Sequence, residues 1–121
     1  MSQRGKADET PRKKSGEQLS QEVFRYIEAH SREKFSLQKM AGDLYVNGSY
    51  LLRVFRRYTG MTPLACHNHV RCEKAKALLA DSDLSISDVG EAVGFVSSAH
   101  FSHVFKKQEN CTPTEYRARH R

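Results

Sequence analysis

Apolar and polar positions follow one another along this chain in an order that occurs twice. The stretch from Ser36 to Pro63 matches the stretch from Ser85 to Pro113, first at an offset of 49. Ser36 pairs with Ser85, Leu37 with Ile86, Met40 with Val89, Ala41 with Gly90 and Leu44 with Val93. Past the next turn the offset is 50, pairing Leu51 with Phe101, Val54 with Val104, Phe55 with Phe105 and Gly60 with Asn110. Arg56 and Arg57 fall on Lys106 and Lys107, and Thr62-Pro63 on Thr112-Pro113. Two copies of one small supersecondary unit account for this self-similarity.

Each copy predicts a short helix, a turn and a longer helix. Ser36 caps the first short helix, whose inward face is Leu37, Met40, Ala41 and Leu44. Asn47 caps the longer one, which keeps Leu51, Val54, Phe55 and Tyr58 on one side and closes at Gly60, suited to a left-handed terminus. In the second copy Ser85 and Ser97 are the caps. Ile86, Val89, Gly90 and Val93, then Phe101, Val104 and Phe105, face inward. Asn110 takes the closing position because Asn tolerates the left-handed conformation best after Gly. The extra residue of the second copy falls in Gly94-Phe95-Val96, opposite Tyr45-Val46, and an insertion confined to a turn fits two helix-turn-helix units.

Outside the copies, Leu19, Val23, Phe24 and Ile27 predict an earlier helix from Leu19, with Ser20 near its start and polar residues from His30 to Lys34. Between the copies the run from Pro63 to about Ala80 lacks any later Gly or Pro, and Pro63 fits a first helical turn. It predicts a single helix about 27 Å long for about 18 residues, nearly one turn of DNA. Residues 1–18 contain no large apolar side chain after Met1 and predict a flexible polar tail, with a basic arm as its functional alternative. The division expected is therefore a tail at 1–18, a first lobe at about 19–62, a linker helix at about 63–80 and a second lobe at about 81–121.

Charge narrows the partners. Twenty Lys and Arg against fourteen Asp and Glu give a net charge of +6 over 121 residues, which favours DNA, RNA or an anionic membrane surface without choosing among them. No apolar run is long enough to span a bilayer and no secretory leader is visible, so a soluble intracellular protein is the default expectation. Three Cys without paired spacing fit a reducing compartment.

The outer faces of the two longer helices choose DNA. At about 100° per residue, with Leu51 inward, Ser49, Arg53 and Arg56 point outward, flanked by Leu52 and Arg57. The matching stripe of the second copy is Ala99, His103 and Lys106, flanked by Ser102 and Lys107. Basic residues on one helix are commonly only a solvated face. The Arg-Arg and Lys-Lys pairs at the same place in both copies, each beside an inward Phe, point instead to contact with phosphate or bases by Arg56, Arg57, Lys106 and Lys107.

The residues from about Leu19 to Arg121 resemble the DNA-binding domain of the AraC/XylS family of bacterial transcription regulators. The resemblance is carried by Ile86, Val89, Gly94-Phe95, Ser97-Ser98, Phe101, Val104 to Lys107, Thr112-Pro113 and Tyr116-Arg117, with Arg71, Ala75 and Leu78-Leu79 between the copies. It implies an all-α fold of about seven helices, two helix-turn-helix lobes on a long linker helix, with both recognition helices in successive major grooves of double-stranded DNA. The base-reading positions it implies are Ser49, Leu52 and Arg53 in the first lobe and Ser98, Ala99, Ser102 and His103 in the second. Leu52 and Ala99 offer apolar contact, as to a thymine methyl, whereas Arg53 suits guanine. His103 stands where Arg is common in the family. The resemblance also implies, for many members, activation through RNA polymerase and a ligand-sensing domain elsewhere in the regulator.

Other chemistries fit less well. Cys66, His67, His69 and Cys72 are zinc-ligand types, but one straight helix cannot wrap a tetrahedral ion, so packing is the expected role of Cys66, Cys72 and Cys111. His67-Asn68-His69 shares only its letters with a nuclease signature. No nucleophile with its base and no phosphate-cradling glycine loop is visible, so no enzyme is expected, and no cofactor. A protein-interaction module remains the competing reading, distinguished by equally weak binding to all DNA sequences.

Overall fold

A computed structural model describes residues 15–121 of the chain. Among them are seven helices and no strand: α1 Gly16–Ala29, α2 Leu37–Asp43, α3 Gly48–Thr59, α4 Pro63–Asp81, α5 Ile86–Ala92, α6 Ser98–Glu109 and α7 Pro113–Arg119. The expected caps Ser36, Asn47, Ser85 and Ser97, and with them Thr62 and Thr112, work in one way, by a side-chain oxygen accepting from the backbone N–H three residues on. This satisfies donors that a helix start leaves orphaned. Gly60 and Asn110 close α3 and α6 in the left-handed region, at φ 78° and 63°.

The turns of the two units share one backbone hydrogen bond and one positive φ at matching positions, up to one insertion. Val46 N–H donates to the Ala41 carbonyl and Phe95 N–H to the Gly90 carbonyl, while Tyr45 and Gly94 both take positive φ, 60° and 114°. Asn47 and Ser97 then cap the next helix, so the additional residue is Val96. Its side chain is 96% exposed, and an insertion there disturbs no packing.

The α4 helix belongs to both lobes. Its first half contributes Cys66 and Val70 to a core with Leu19, Val23, Ile27, Met40, Leu51 and Phe55. Its second half contributes Cys72, Ala75 and Leu79 to a core with Val89, Val93, Phe95, Phe101 and Phe105. Pro63 opens α4 as Pro113 opens α7, each buried after a Thr cap, so the start of α4 closes lobe one as α7 closes lobe two. The remainder of α4 supports α5 and α6 as α1 supports α2 and α3. The repeated polar contacts agree: Arg71 donates to the Glu33 carbonyl at 2.8 Å and Arg121, its repeat counterpart, to that of Ser82 at 2.7 Å. Serving two cores on different sides explains why α4 lacks a single apolar stripe.

Two expectations need correction. The first helix starts at Gly16, not Leu19, and Ser15 rather than Ser20 is its cap, in a reciprocal box with Gln18. Ser20 is buried on the inner face, where it cannot serve as a cap. Residues 15–18 are thus helix and cap instead of tail; the rest of the tail expectation lies outside the described residues. Phe24 and Tyr58, expected inward, are 41% and 56% exposed. Leu19, Val23 and Ile27 already fill the inner face of α1, leaving Phe24 on its shoulder. Tyr58 lies with its ring directly against Gly16, where an added Cβ would collide with it.

Candidate nucleic-acid interface

Packing decides which faces of α3 and α6 remain available. Leu51, Val54 and Phe55 bury one side of α3, and Phe101, Val104 and Phe105 bury the same side of α6. Ser49, Leu52, Arg53, Arg56 and Arg57 are exposed on α3; Ser98, Ala99, His103, Lys106 and Lys107 are exposed on α6, with Ser102 half-buried. Neither stripe is packed inside the protein. Both helices lack an acidic residue in the first turn and carry two cations in the last. The N-terminal N–H groups therefore keep their positive end uncompensated by a carboxylate.

The Arg53 guanidinium lies over the ring of Tyr50, its centre 5.4 Å from the ring centroid. Tyr50 sits one turn earlier, so the cation is held toward the start of α3, the end that reads bases in helix-turn-helix proteins. The sequence reading did not include Tyr50; its spacing of three residues before Arg53 is the signal that identifies it. On the second lobe Ser102, His103, Lys106 and Lys107 line a surface cleft of about 390 Å³ together with Thr112. Thr112 was also not anticipated at the site, although it is the repeat counterpart of Thr62. The wall of the cleft is mostly the apolar stems of these side chains, so Lys106 and Lys107 flank it with their ammonium heads in solvent.

Nearby carboxylates are engaged elsewhere. Glu109, at the end of α6, pairs with Lys76 at 3.3 Å, and Lys76 also meets Glu73 at 2.7 Å. The Glu115 carboxylate accepts from the Thr112 N–H at 2.8 Å, and that bond first of all lowers its pKa and keeps it charged. Among the described residues Arg53, Arg56, Arg57, Lys106 and Lys107 enter no ion pair.

The zinc-type residues are dispersed by the fold. Cys66 lies in the first core and Cys72 in the second, and burial pushes their thiols up to about 11 and about 12. Cys111 is buried in the second core. His67 is 3% exposed with its ring edge on Phe35, and burial, followed by the Arg71 charge, lowers its pKa to about 4. Among the described residues no three His, Cys, Asp or Glu side chains are gathered to hold a metal ion, and no helix is long and apolar enough to cross a membrane.

A family model described as a helix-turn-helix domain matches residues 40–119. The AraC-type DNA-binding domain-containing transcriptional regulator from Chromobacterium violaceum is 32% identical, with a TM-score of 0.80 over 88% of this chain and 96% of that one. The DNA-binding domain of AdpA, solved in complex with a target DNA, is 31% identical, with a TM-score of 0.76 over 84% of this chain and 91% of that one. The arabinose operon regulatory protein of Escherichia coli K12 is 34% identical over 98 residues, which are 80% of this chain and 34% of that protein. The chain spans about a third of the length of the curated relatives it matches. With its doubled helix-turn-helix unit on a shared helix, the chain belongs to the AraC/XylS family.

Proposed function

We propose that residues 15–121 form the DNA-binding unit of a transcription regulator, with α3 and α6 entering successive major grooves. The observation that carries this reading is the repetition, at equivalent positions of two helices, of an exposed cationic stripe that among the described residues has neither an ion-pair nor a packing partner on that face. A target DNA bound to the related AdpA domain supports it. In this reading Ser49, Leu52 and Arg53 meet bases from the first lobe, and Ser98, Ala99, Ser102 and His103 from the second. Arg56, Arg57, Lys106 and Lys107 neutralise phosphates.

The same reading places the protein in the cytoplasm with its DNA and makes it a binding protein rather than an enzyme. In the whole regulator, contact with RNA polymerase and any effector site belong to surfaces other than these two stripes. Selection of bound sites from random duplexes, followed by gel shifts at two salt concentrations, is the test. Sequence-selective binding with a slope of log affinity against log salt near −0.9 for each phosphate contacted is expected. Weak retardation, equal for every sequence, would instead make this a protein-interaction module.

A further inference from the structure

The two lobes meet around one buried cation. Arg71 lies in the middle of α4, 6% exposed. Its Nε donates to the Ser31 carbonyl at 2.6 Å and its Nη2 to the Glu33 carbonyl at 2.8 Å, both in the loop that follows α1 of lobe one. The same guanidinium lies over the ring of Phe95, in the helix-turn-helix turn of lobe two, 5.0 Å from its centroid. Gly94 completes the junction. A Cβ there would stand 2.8 Å from the Arg32 carbonyl oxygen and 3.0 Å from Cζ of Arg71. From the next turn of α4, Lys74 donates to the Ser31 hydroxyl at 2.6 Å and the Glu28 carbonyl at 3.2 Å.

A helix alone holds two lobes at a distance; the angle between them depends on what packs at their junction. Arginine suits that task, because its planar fork satisfies two carbonyls at once while its face stacks on a ring, which an ammonium cannot do. A desolvated guanidinium is also intolerant of misplacement, since each carbonyl that swings away leaves a buried donor unpaired. Arg71 itself is enclosed and belongs to neither exposed stripe, so it acts through the geometry of others.

We infer that Arg71, seated between the 31–33 loop and Phe95, is the positioning residue that sets the angle between the lobes. It thereby sets the base-pair spacing at which α3 and α6 bind one duplex. The spacing half of this inference rests on the DNA reading above; the angle does not. Arg71→Met keeps the apolar stem and removes the donors, Arg71→Lys keeps only the charge, and Phe95→Leu removes the ring while leaving Arg71 in place.

Backbone residual dipolar couplings of the free protein read the angle. In the wild type one alignment tensor fits residues 16–62 and 82–119 together; in folded Arg71→Met and Phe95→Leu the two lobes require different tensors, and Arg71→Lys falls between. The second readout compares a selected duplex with the same duplex carrying one extra base pair between the bound segments, a shift of about 3.4 Å. The wild type loses about tenfold or more in affinity, while the two variants lose less than about threefold, because loosely joined lobes forfeit avidity but tolerate spacing. Lys107→Ala weakens binding to both duplexes alike and preserves the wild-type ratio. A single shared tensor and an unchanged spacing ratio in folded Arg71→Met and Phe95→Leu would overturn the inference. If the wild type selects no duplex, the DNA reading fails and the couplings decide the role of Arg71 alone, by the same criterion.

Discussion

Gly90 lies directly against the ring of Phe101: a Cβ on Gly90 would come within 2.8 Å of its Cδ2 and 2.9 Å of its Cγ. In the first unit the equivalent pair is Ala41 and Leu51, both buried. A larger side chain on one helix is matched by a smaller one on its neighbour, so the two units keep the same helix approach with different residues. Phe101 is among the fully buried side chains and has no open direction in which to yield.

Gly90→Ala should therefore destabilise, although alanine is the better helix former. Overpacking costs about 1 to 3 kcal/mol against a gain in propensity of about 1 kcal/mol. Installing Phe101→Leu in the same chain recreates the pairing of lobe one, and the double-mutant cycle in urea should show a favourable coupling of about 0.5 to 3 kcal/mol. Strict additivity would mean that the two residues do not oppose one another.

Arg53→Ala should cost about 1 to 3 kcal/mol of binding and relax preference at one base position. The same substitution reports on Tyr50, whose ring supports the guanidinium: Tyr50→Ala should weaken the same base preference, in part. A loss spread evenly over all sequences would assign Arg53 to phosphate.

Replacing Lys106 or Lys107 should lower affinity for all sequences alike and reduce the salt slope by about one unit each. Salt titration of each variant by fluorescence anisotropy checks this. A slope that does not change would remove these residues from the phosphate contacts.

His67 makes the first lobe sensitive to acid. Its folded pKa is lowered from 6.5 to about 4, so between these values the unfolded chain binds a proton that the folded one refuses. Stability from this residue is thus complete above about pH 6.5 and falls as pH drops toward 4. From pH 7.5 to pH 5 the loss should be about 2 kcal/mol, from one group with this shift. His67→Leu should abolish that share of the loss when urea unfolding is compared at the two pH values, and an equal loss in both proteins would remove His67 as its source.

The caps, the closing residues and the doubled unit were legible in the sequence because each is a local matter. A hydroxyl or amide reaches a backbone N–H three residues on, and Gly or Asn relieves a left-handed terminus, whatever lies across the fold. The exposed stripes of α3 and α6 were legible for a related reason, since the inward Phe at the same place in each unit sets the rotation of its helix. Periodicity located the buried arcs less well at their edges. Phe24 and Tyr58 have the spacing of core residues, yet Leu19, Val23 and Ile27 already fill the inner face of α1, and Tyr58 lies at its edge against Gly16.

Contacts between residues far apart in sequence depended on the tertiary structure. The Ser31 and Glu33 carbonyls that receive Arg71 carry no mark in a list of side chains, because every residue has a carbonyl; folding alone brings them within 3 Å of the guanidinium. The division of α4 between two cores is likewise a property of three dimensions, as its apolar residues follow no single stripe. By itself the sequence determined two capped helix-turn-helix units with basic outer faces. Tertiary packing decided how one lobe is turned relative to the other, since that angle depends on a desolvated cation finding partners from both.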